Sequence, residues 1–151
     1  MADYRIVKKA PFTIVGVKRP FSTDTGYREI PKFWEEWLAQ GENRPIMGTF
    51  GVCLDMKGKA FDYWIADLYF PWEEIPEGCE TRVIPGSFWA EFPCTMRTLQ
   101  DTNTRIWSEW LPSSGEYRLA GSYNVELYTD DVNHVEIWIP VVRKDRDQGR
   151  P

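Results

Sequence analysis

Apolar positions along the chain follow two periods, and each period predicts a different element. In residues 29–40, apolar side chains recur at positions i, i+3, i+4, i+7 and i+8, which form one face of a helix. Residues 99–111 also have a helical pattern, and Pro112 followed by Gly115 predicts its end. β-branched and aromatic residues predict strands over residues 3–20, 47–55, 60–70, 80–94, 121–129 and 133–143.

The same order of strands and helix occurs twice. Trp-Glu-Glu-Trp-Leu at residues 34–38 recurs as Trp-Ser-Glu-Trp-Leu at residues 107–111. Gly-Thr-Phe-Gly-Val-Cys-Leu at residues 48–54 recurs as Gly-Ser-Tyr-Asn-Val-Glu-Leu at residues 121–127. Both matches have the same offset of 73 positions, and two copies of this length indicate a duplicated supersecondary unit rather than a solenoid.

The repeat predicts an α+β fold of two pseudo-symmetric β-α-β-β modules, with antiparallel sheets and a central ligand groove between the modules. We expect a single domain over residues 1–151, with the two copies in residues 1–72 and 79–143. Every predicted helix belongs to the repeat, so we expect no helix-turn-helix motif.

The composition narrows the classes of function. Aromatic residues make up 15% of the chain and include 8 tryptophans, which is more than a core of this size needs. We therefore expect some tryptophans to line a cavity. The net charge of −5 argues against direct nucleic-acid binding and against attraction to anionic membranes.

The cysteine and histidine content disfavours metal chemistry. Three cysteines without a C-x-x-C pair and a single histidine, His134, give neither a disulfide framework nor a zinc site, and we expect no metal and no cofactor. The N-terminal residues have no apolar signal segment, and no run of 18 apolar residues occurs. The sequence therefore predicts a cytoplasmic protein.

One strand carries a carboxylate that differs between the two copies. Alternation puts Phe50, Val52 and Leu54 on one face, which we expect to pack on the helices. Glu126 replaces Cys53 on the opposite face, toward the crevice between modules. Two interpretations remain open: Glu126 is solvated or paired with an arginine, or it is a buried anion in an aromatic cavity that binds a cation.

No motif indicates a conventional enzyme. Glu36 and Glu109 match between the copies, so we interpret them as exposed helix residues rather than a catalytic pair. The serines have no G-x-S-x-G context, and neither a P-loop nor G-x-G-x-x-G occurs. We therefore predict no catalytic residue.

Six segments match one known pattern in order along nearly the whole chain, at residues 30–34, 51–55, 75–78, 106–115, 123–128 and 135–141. The most specific are Trp-Leu-Pro-Ser-Ser-Gly and Glu-Ile-Trp-Ile-Pro-Val, within the fourth and sixth segments. On these motifs the chain resembles the GyrI-like small-molecule-binding domain, also described as the AraC-type or bacterial transcription-activator effector-binding domain. Residues 95–98 depart from the Arg-Gly-Pro or Lys-Gly-Pro turn of many relatives.

The resemblance implies two SHS2-like modules around a hydrophobic, aromatic groove. It also implies that an acidic residue on the third strand of the second module engages cationic, lipophilic ligands there, and Glu126 occupies that position. The ligand-binding residues that we predict are Glu126, Trp64, Trp89, Trp107, Trp110 and Tyr128. The family domain is often fused to a DNA-binding module, which we do not expect in this chain.

We therefore expect a stand-alone protein that binds a small molecule, namely a lipophilic cationic drug or effector. It would sequester the compound, or sense it and signal to a regulator protein as partner. Two alternatives stay open. One is a hydrolase of strained electrophilic molecules with Glu126 as general base. The other is an inhibitor of a protein such as a topoisomerase, with acidic charge that imitates nucleic acid.

Overall fold

The computed structural model describes residues 3–144. Its helices are α1 (Gly26–Ala39), α2 (Leu99–Arg105) and α3 (Leu111–Ser113), with a 3₁₀ turn at Gly41–Asn43 and a π-helical turn at Ile106–Trp110. Its strands are β1 (Arg5–Lys9), β2 (Phe12–Ser22), β3 (Phe50–Lys57), β4 (Ala60–Leu68), β5 (Glu80–Ile84), β6 (Ser87–Cys94), β7 (Tyr117–Leu119), β8 (Asn124–Tyr128) and β9 (Val135–Arg143). No helix in the described residues is long and apolar enough to cross a membrane.

The nine described strands form one antiparallel sheet. Its order is β1-β6-β9-β8-β3-β4-β2-β5, and β7 pairs with β9 beside this path. β3 and β8 meet in the middle of the sheet, where Val52 lies opposite Val125. A mostly antiparallel sheet with a few helices is an α+β fold, as the sequence predicts.

The sheet is strongly curved, because two short connections join strands from its opposite ends. Residues 10–11 connect β1 at one edge to β2 near the other edge, and residues 85–86 connect β5 to β6 in the same way. The two connections touch, since a Cβ on Gly86 would lie 2.9 Å from Pro11 Cδ. The ring centroids of Phe12 on β2 and Trp89 on β6 are only 6.0 Å apart, although four strands separate β2 from β6 in the sheet.

The helices pack on the convex face, and this corrects one expectation from the sequence. Phe33 and Trp37 of α1 pack against Tyr63 and Ile65 of β4. In contrast, the face of β3 with Phe50, Val52 and Leu54 lies in a core without helix residues, on the concave side. The alternation was interpreted correctly as two distinct faces, but the prediction that this face packs on the helices is wrong. The curvature encloses the concave face so completely that it needs no helix to cover it.

The second helical segment continues slightly beyond its predicted end. A π-helical turn separates α2 from α3, and Pro112 lies in the first turn of α3. Proline is tolerated there because the first turn of a helix leaves its N–H groups without intrahelical partners. The segment therefore ends at Ser113 rather than at Pro112.

Candidate ligand-binding site

Glu126 lies on β8 at the centre of the sheet, directly opposite Gly51 of β3. Its cross-strand neighbour on the other side is Ile137 of β9, which packs with the residues of α2 and the π-helical turn. Glu126 is therefore on the convex face, between the part of the sheet that α1 covers and the part that α2 covers. We call this region around Glu126 the seam. The expectation that it faces away from its helix is wrong for the reason given above: the helices cover the face opposite to the one predicted.

Two tyrosines donate hydrogen bonds to one oxygen of this carboxylate. Glu126 Oε1 accepts from Tyr63 Oη at 2.8 Å and from Tyr128 Oη at 2.8 Å. Tyr63 Oη in turn accepts a hydrogen bond from Trp34 Nε1 of α1 at 2.9 Å. The chain of donors links α1, β4 and β8 through one carboxylate, and it fixes the position of Oε1.

Glycine at position 51 makes room for this arrangement. A Cβ there would lie inside van der Waals contact of Tyr63 Oη and 2.9 Å from Glu126 Oε1. Tyr63 extends over Gly51 from β4 to reach Glu126 on β8, across the intervening β3. The small residue is therefore required by the close approach of these two side chains.

The charge of Glu126 is not balanced by any cation in residues 3–144. No salt bridge to it occurs there, and its second oxygen, Oε2, accepts no hydrogen bond from those residues. Burial raises the pKa of Glu126, and the hydrogen bonds from Tyr128 and Tyr63 partly oppose that increase by favouring the ionised form. The side chain remains only partly exposed, so an anion is held in an enclosed setting with one oxygen free.

The two tyrosines remain hydrogen-bond donors. Burial, together with the neighbouring charge of Glu126, raises the pKa of Tyr63 and of Tyr128 well above the ordinary phenol value. Both hydroxyls are therefore protonated at neutral pH, and they stabilise the carboxylate rather than compete with it for a proton.

Aromatic rings surround the carboxylate on the α1 side. The ring of Trp34 contacts Tyr128 edge to face at a centroid distance of 5.1 Å and lies 6.5 Å from the ring of Tyr63. On the other side of the seam, Trp107 packs on the cluster that contains Ile137, the neighbour of Glu126. Its indole N–H is bound to Asn103 Oδ1 at 3.1 Å and not to the carboxylate network.

The six predicted ligand-binding residues fall into three places. Glu126 and Tyr128 are in direct contact, and Trp107 lies on the same face of the sheet. Trp110 packs against Tyr4 and Phe92 at the outer edge of the α2 cluster. Trp64 and Trp89 are fully buried on the concave face, with the sheet between them and Glu126.

Two residues of the network were missed by the sequence analysis. Trp34 was noted only as part of the apolar stripe of the first helix, although the sequence repeat equates it with Trp107, which was predicted to bind ligand. Tyr63 gave no signal, because its hydroxyl reaches Glu126 only through the pairing of β3 with both β4 and β8. An alignment of the two copies could have suggested Trp34 but not Tyr63.

Two surface depressions lie away from this network. One, of about 250 Å³, is beside Leu54 and Tyr123 at the rim of the concave face. The other, of about 390 Å³, is between the C-terminal half of α1 and the segment before β5, beside Lys18 and Gln40. Neither of these two depressions has Glu126 in its lining.

Comparison with known protein families gives a match over most of the chain. Residues 5–141 match the model of Cass2, the integron-associated effector binding protein family. The chain belongs to the Cass2 family. This family is described as effector-binding, so the chain is an effector-binding protein. A search of curated protein sequences found no match.

Solved structures show the same fold for this Cass2-family chain. The structure of SAV2435 bound to tetraphenylphosphonium matches with a TM-score of 0.79 and 19% identity, over 99% of this chain and 98% of that one. The integron cassette protein VCH_CASS2, from the mobile metagenome of Vibrio cholerae, matches with a TM-score of 0.70 and 16% identity, over 92% and 95%. The EcmrR C-terminal domain matches with a TM-score of 0.50 and 14% identity, over 94% and 98%. The resemblance to the GyrI-like effector-binding domain is confirmed.

Proposed function

We propose that this Cass2-family protein binds lipophilic organic cations in the seam between α1 and α2, with the Glu126 carboxylate as counter-charge. The observation that carries the proposal is an enclosed anion bordered by aromatic rings and paired with no cation among residues 3–144. A cation that enters the seam relieves the electrostatic cost of this unpaired charge.

The chemistry of the walls favours a cation with apolar substituents. The faces of Trp34, Tyr63 and Tyr128 attract positive charge through their quadrupoles, by roughly 0.5–2 kcal/mol for each well-placed ring. Glu126 Oε1 already accepts two hydrogen bonds, which leaves Oε2 to face the ligand. The relative SAV2435, with tetraphenylphosphonium bound, supports the same class of ligand.

We also infer that the fold is a duplication of one β-α-β-β module. In support, the two halves of the sheet read β3-β4-β2-β5 and β8-β9-β6-β1 from the centre outward, so that equivalent strands follow in the same order in both halves. Val52 and Val125 pair at that centre, and the sequence repeat equates these two positions. The ligand seam would then coincide with the pseudo-twofold axis, where the copies differ by Glu126 in place of Cys53.

Titration with a matched pair of ions tests the binding function. Tetraphenylphosphonium and tetraphenylborate have the same shape and opposite charge, and tryptophan fluorescence reports binding of either one. We expect the cation to bind at least about tenfold more tightly than the anion. Glu126→Gln should abolish most of that preference, whereas Glu109→Gln, the same change at an exposed position of the π-helical turn, should leave it intact. Equal affinity for both ions, or an unchanged preference in Glu126→Gln, would overturn the proposal.

A hydrolase is the second candidate, and one observation favours it. Burial raises the pKa of Glu126, which brings the carboxylate closer to the basicity that a general base needs at neutral pH. Tyr63 Oη and Tyr128 Oη both donate to Oε1, which leaves Oε2 to accept the proton of an attacking water. Incubation with an epoxide such as styrene oxide tests this role by mass spectrometry. Formation of the diol that is lost in Glu126→Ala supports it, and binding of the epoxide without product contradicts it.

A further inference from the structure

Two exposed aromatic rings lie in the loop between β4 and β5, residues 69–79. The rings of Phe70 and Trp72 are stacked, with their centroids 4.9 Å apart and their planes 9° from parallel. Trp72 is 80% exposed, more than any other large hydrophobic side chain in residues 3–144. A stack that faces solvent buries little apolar area within the fold, and exposed apolar surface of this kind is typical of interaction sites.

Hydrogen bonds hold the backbone around the two rings in one conformation. Glu73 N donates to Phe70 O at 2.9 Å, and Phe70 N donates to Glu73 Oε1 at 3.0 Å. Tyr69 Oη donates to Glu73 O at 2.8 Å, and Tyr69 N donates to Thr13 O of β2 at 2.8 Å. Trp72 therefore projects from an ordered turn, and a partner that contacts it loses little conformational entropy in this loop.

The same loop carries negative charge without a cation of its own. Residues 69–79 contain three glutamates and neither lysine nor arginine. All three, Glu73, Glu74 and Glu77, are exposed, and no salt bridge to them occurs in residues 3–144. An exposed aromatic stack beside unpaired carboxylates is complementary to a segment that combines apolar side chains with lysine or arginine.

We propose that residues 69–79 are a docking surface for a basic, apolar segment of a partner protein. Trp72 is the apolar anchor of this surface, and Glu74 and Glu77 pair with basic side chains that flank the apolar residues of the partner. Phe70 covers one face of the Trp72 ring and leaves the opposite face open to an apolar side chain or a guanidinium group.

The loop is separate from the seam and from the proposed binding of small cations. None of its residues belongs to the hydrogen-bonded network of Glu126. The docking surface therefore extends the function of the protein to a second site, and either proposal can fail without the other.

The charge of the loop also distinguishes between possible occupants. Nucleic acid and anionic membranes would be repelled by three unpaired carboxylates. A second copy of this chain has a net charge of −5, and a twofold contact through this surface would bring the two acidic loops together. A basic protein segment has the complementary charge.

Three peptides of about 12 residues each, built from two residue types, test the proposal on the full chain. The first contains lysine and leucine, the second glutamate and leucine, and the third lysine and serine. With isotope-labelled tryptophan, the indole N–H groups of the 8 tryptophans are followed by NMR, and the spectrum of Trp72→Phe assigns the Trp72 signal. We expect only the lysine–leucine peptide to shift that signal. No binding of this peptide, or binding that leaves the Trp72 signal in place, would overturn the proposal.

A matched pair of aromatic substitutions tests the anchor. Trp72→Ser should weaken binding of the lysine–leucine peptide by at least about tenfold. Tyr27→Ser removes another exposed aromatic ring, on α1, and should change the affinity by less than about twofold. Calorimetry measures both affinities, and equal effects of the two substitutions would contradict an anchor at Trp72.

A matched pair of double variants tests the role of the carboxylates. Glu74→Gln combined with Glu77→Gln should weaken peptide binding by about fivefold. Glu109→Gln combined with Asp130→Asn removes the same number of exposed charges elsewhere and should leave the affinity within about twofold. Equal losses in the two double variants would mean that the peptide responds only to the net charge of the protein, and the proposal would fail.

The other possible occupants give different results, and each of these results overturns the proposal. If the peptide shifts the Trp34 signal and Glu126→Gln abolishes its binding, the peptide occupies the seam. A Trp72 signal that moves on dilution of the protein alone indicates an interface between copies of this chain. A shift caused by phosphatidylcholine vesicles indicates a membrane surface, and an equal shift from the lysine–serine peptide indicates attraction by charge alone.

Discussion

The hydroxyl of Tyr63 on β4 donates a 2.8 Å hydrogen bond to the carboxylate of Glu126 on β8, across the intervening strand β3. The two residues are 63 positions apart in the chain and are brought together only by the sheet. Burial raises the pKa of this carboxyl, and the contact with Tyr63 partly opposes that increase, because a phenol that donates to the charged form favours ionisation.

Removal of that phenol hydroxyl should shift the pH dependence of cation binding. Binding requires the ionised carboxylate, so affinity is lost as the pH falls through the raised pKa of Glu126. Tyr63→Phe removes one hydrogen-bond donor to the ionised carboxylate, which raises the pKa of Glu126 further. The loss of affinity should therefore begin at a higher pH than in the wild type. At pH 7 we expect tetraphenylphosphonium affinity to fall by about tenfold, the effect of one hydrogen bond to a charged group. Tyr69→Phe is the matched control, since Tyr69 Oη donates only to Glu73 O.

Neutralising Glu126 should stabilise the empty protein. The folded-state pKa of Glu126 is raised above its unfolded value, so the stability that the protonated carboxyl contributes is lost as the pH rises through the folded pKa. Glu126→Gln cannot ionise, so the variant does not lose stability as the pH rises. Its amide oxygen can still accept hydrogen bonds from both tyrosines. Urea unfolding at pH 7 should show a gain of the order of 1 kcal/mol in the free energy of unfolding, with a smaller gain at pH 5. A loss of stability at pH 7 would mean that the carboxylate is better paired than the structure shows.

A methyl group on Gly51 should break the contact between Tyr63 and Glu126. Its Cβ would overlap Tyr63 Oη and lie 2.9 Å from Glu126 Oε1, and the strand backbone cannot move away without loss of pairing on both sides. We expect Gly51→Ala to cost about 1–3 kcal/mol of stability, as overpacking does, and to weaken cation binding. Gly115→Ala is the control, because a Cβ there meets nothing within 4 Å. Thermal unfolding and the fluorescence titration measure both effects, and equal behaviour of the two variants would contradict the prediction.

The indole N–H of Trp34 should matter more for binding than that of Trp107. Trp34 donates to Tyr63 Oη and so belongs to the Glu126 network, whereas Trp107 donates to Asn103 within its own helical segment. Trp34→Phe keeps an aromatic ring and removes the donor, for which we expect about a fivefold loss of tetraphenylphosphonium affinity. Trp107→Phe is the matched change, because the sequence match at an offset of 73 positions equates Trp107 with Trp34. A larger loss from Trp107→Phe would place the ligand on the α2 side of the seam.

Trp89 should contribute to stability and not to cation binding. It is fully buried on the concave face, in contact with Phe12, Tyr123 and Trp138, and the sheet separates it from Glu126. Trp89→Leu should lower the free energy of unfolding by about 2 kcal/mol or more through lost packing. The affinity of the folded variant for tetraphenylphosphonium should stay within about twofold of the wild type. Isothermal calorimetry measures this affinity, and a large loss would support the prediction from the sequence that Trp89 is a ligand-binding residue.

Local patterns were sufficient for the first helix, but they predicted one strand where β1 and β2 occur, one strand where β5 and β6 occur, and none at β7. The apolar stripe of α1 is what buries Phe33 and Trp37, because a 3.6-residue period needs no long-range information. Glu126 was singled out by comparison with Cys53 in the other copy, which is also information within the sequence. Trp64 and Trp89 could not be distinguished in the same way from pocket residues, since a large aromatic residue on a strand fits a core and a cavity equally well.

The sequence by itself determined the α+β class, the first helix and the position of an asymmetric carboxylate in the middle of a strand. Only the tertiary structure decided which face of the sheet carries that carboxylate and which residues reach it. The alternation along a strand distinguishes two faces but does not say which one a helix covers. Here the short connections at residues 10–11 and 85–86 curve the sheet until the face with Val52 closes on itself, and the helices cover the face with Glu126. Tyr63 and Trp34 then reach the carboxylate through contacts between strands and helix that no local pattern encodes.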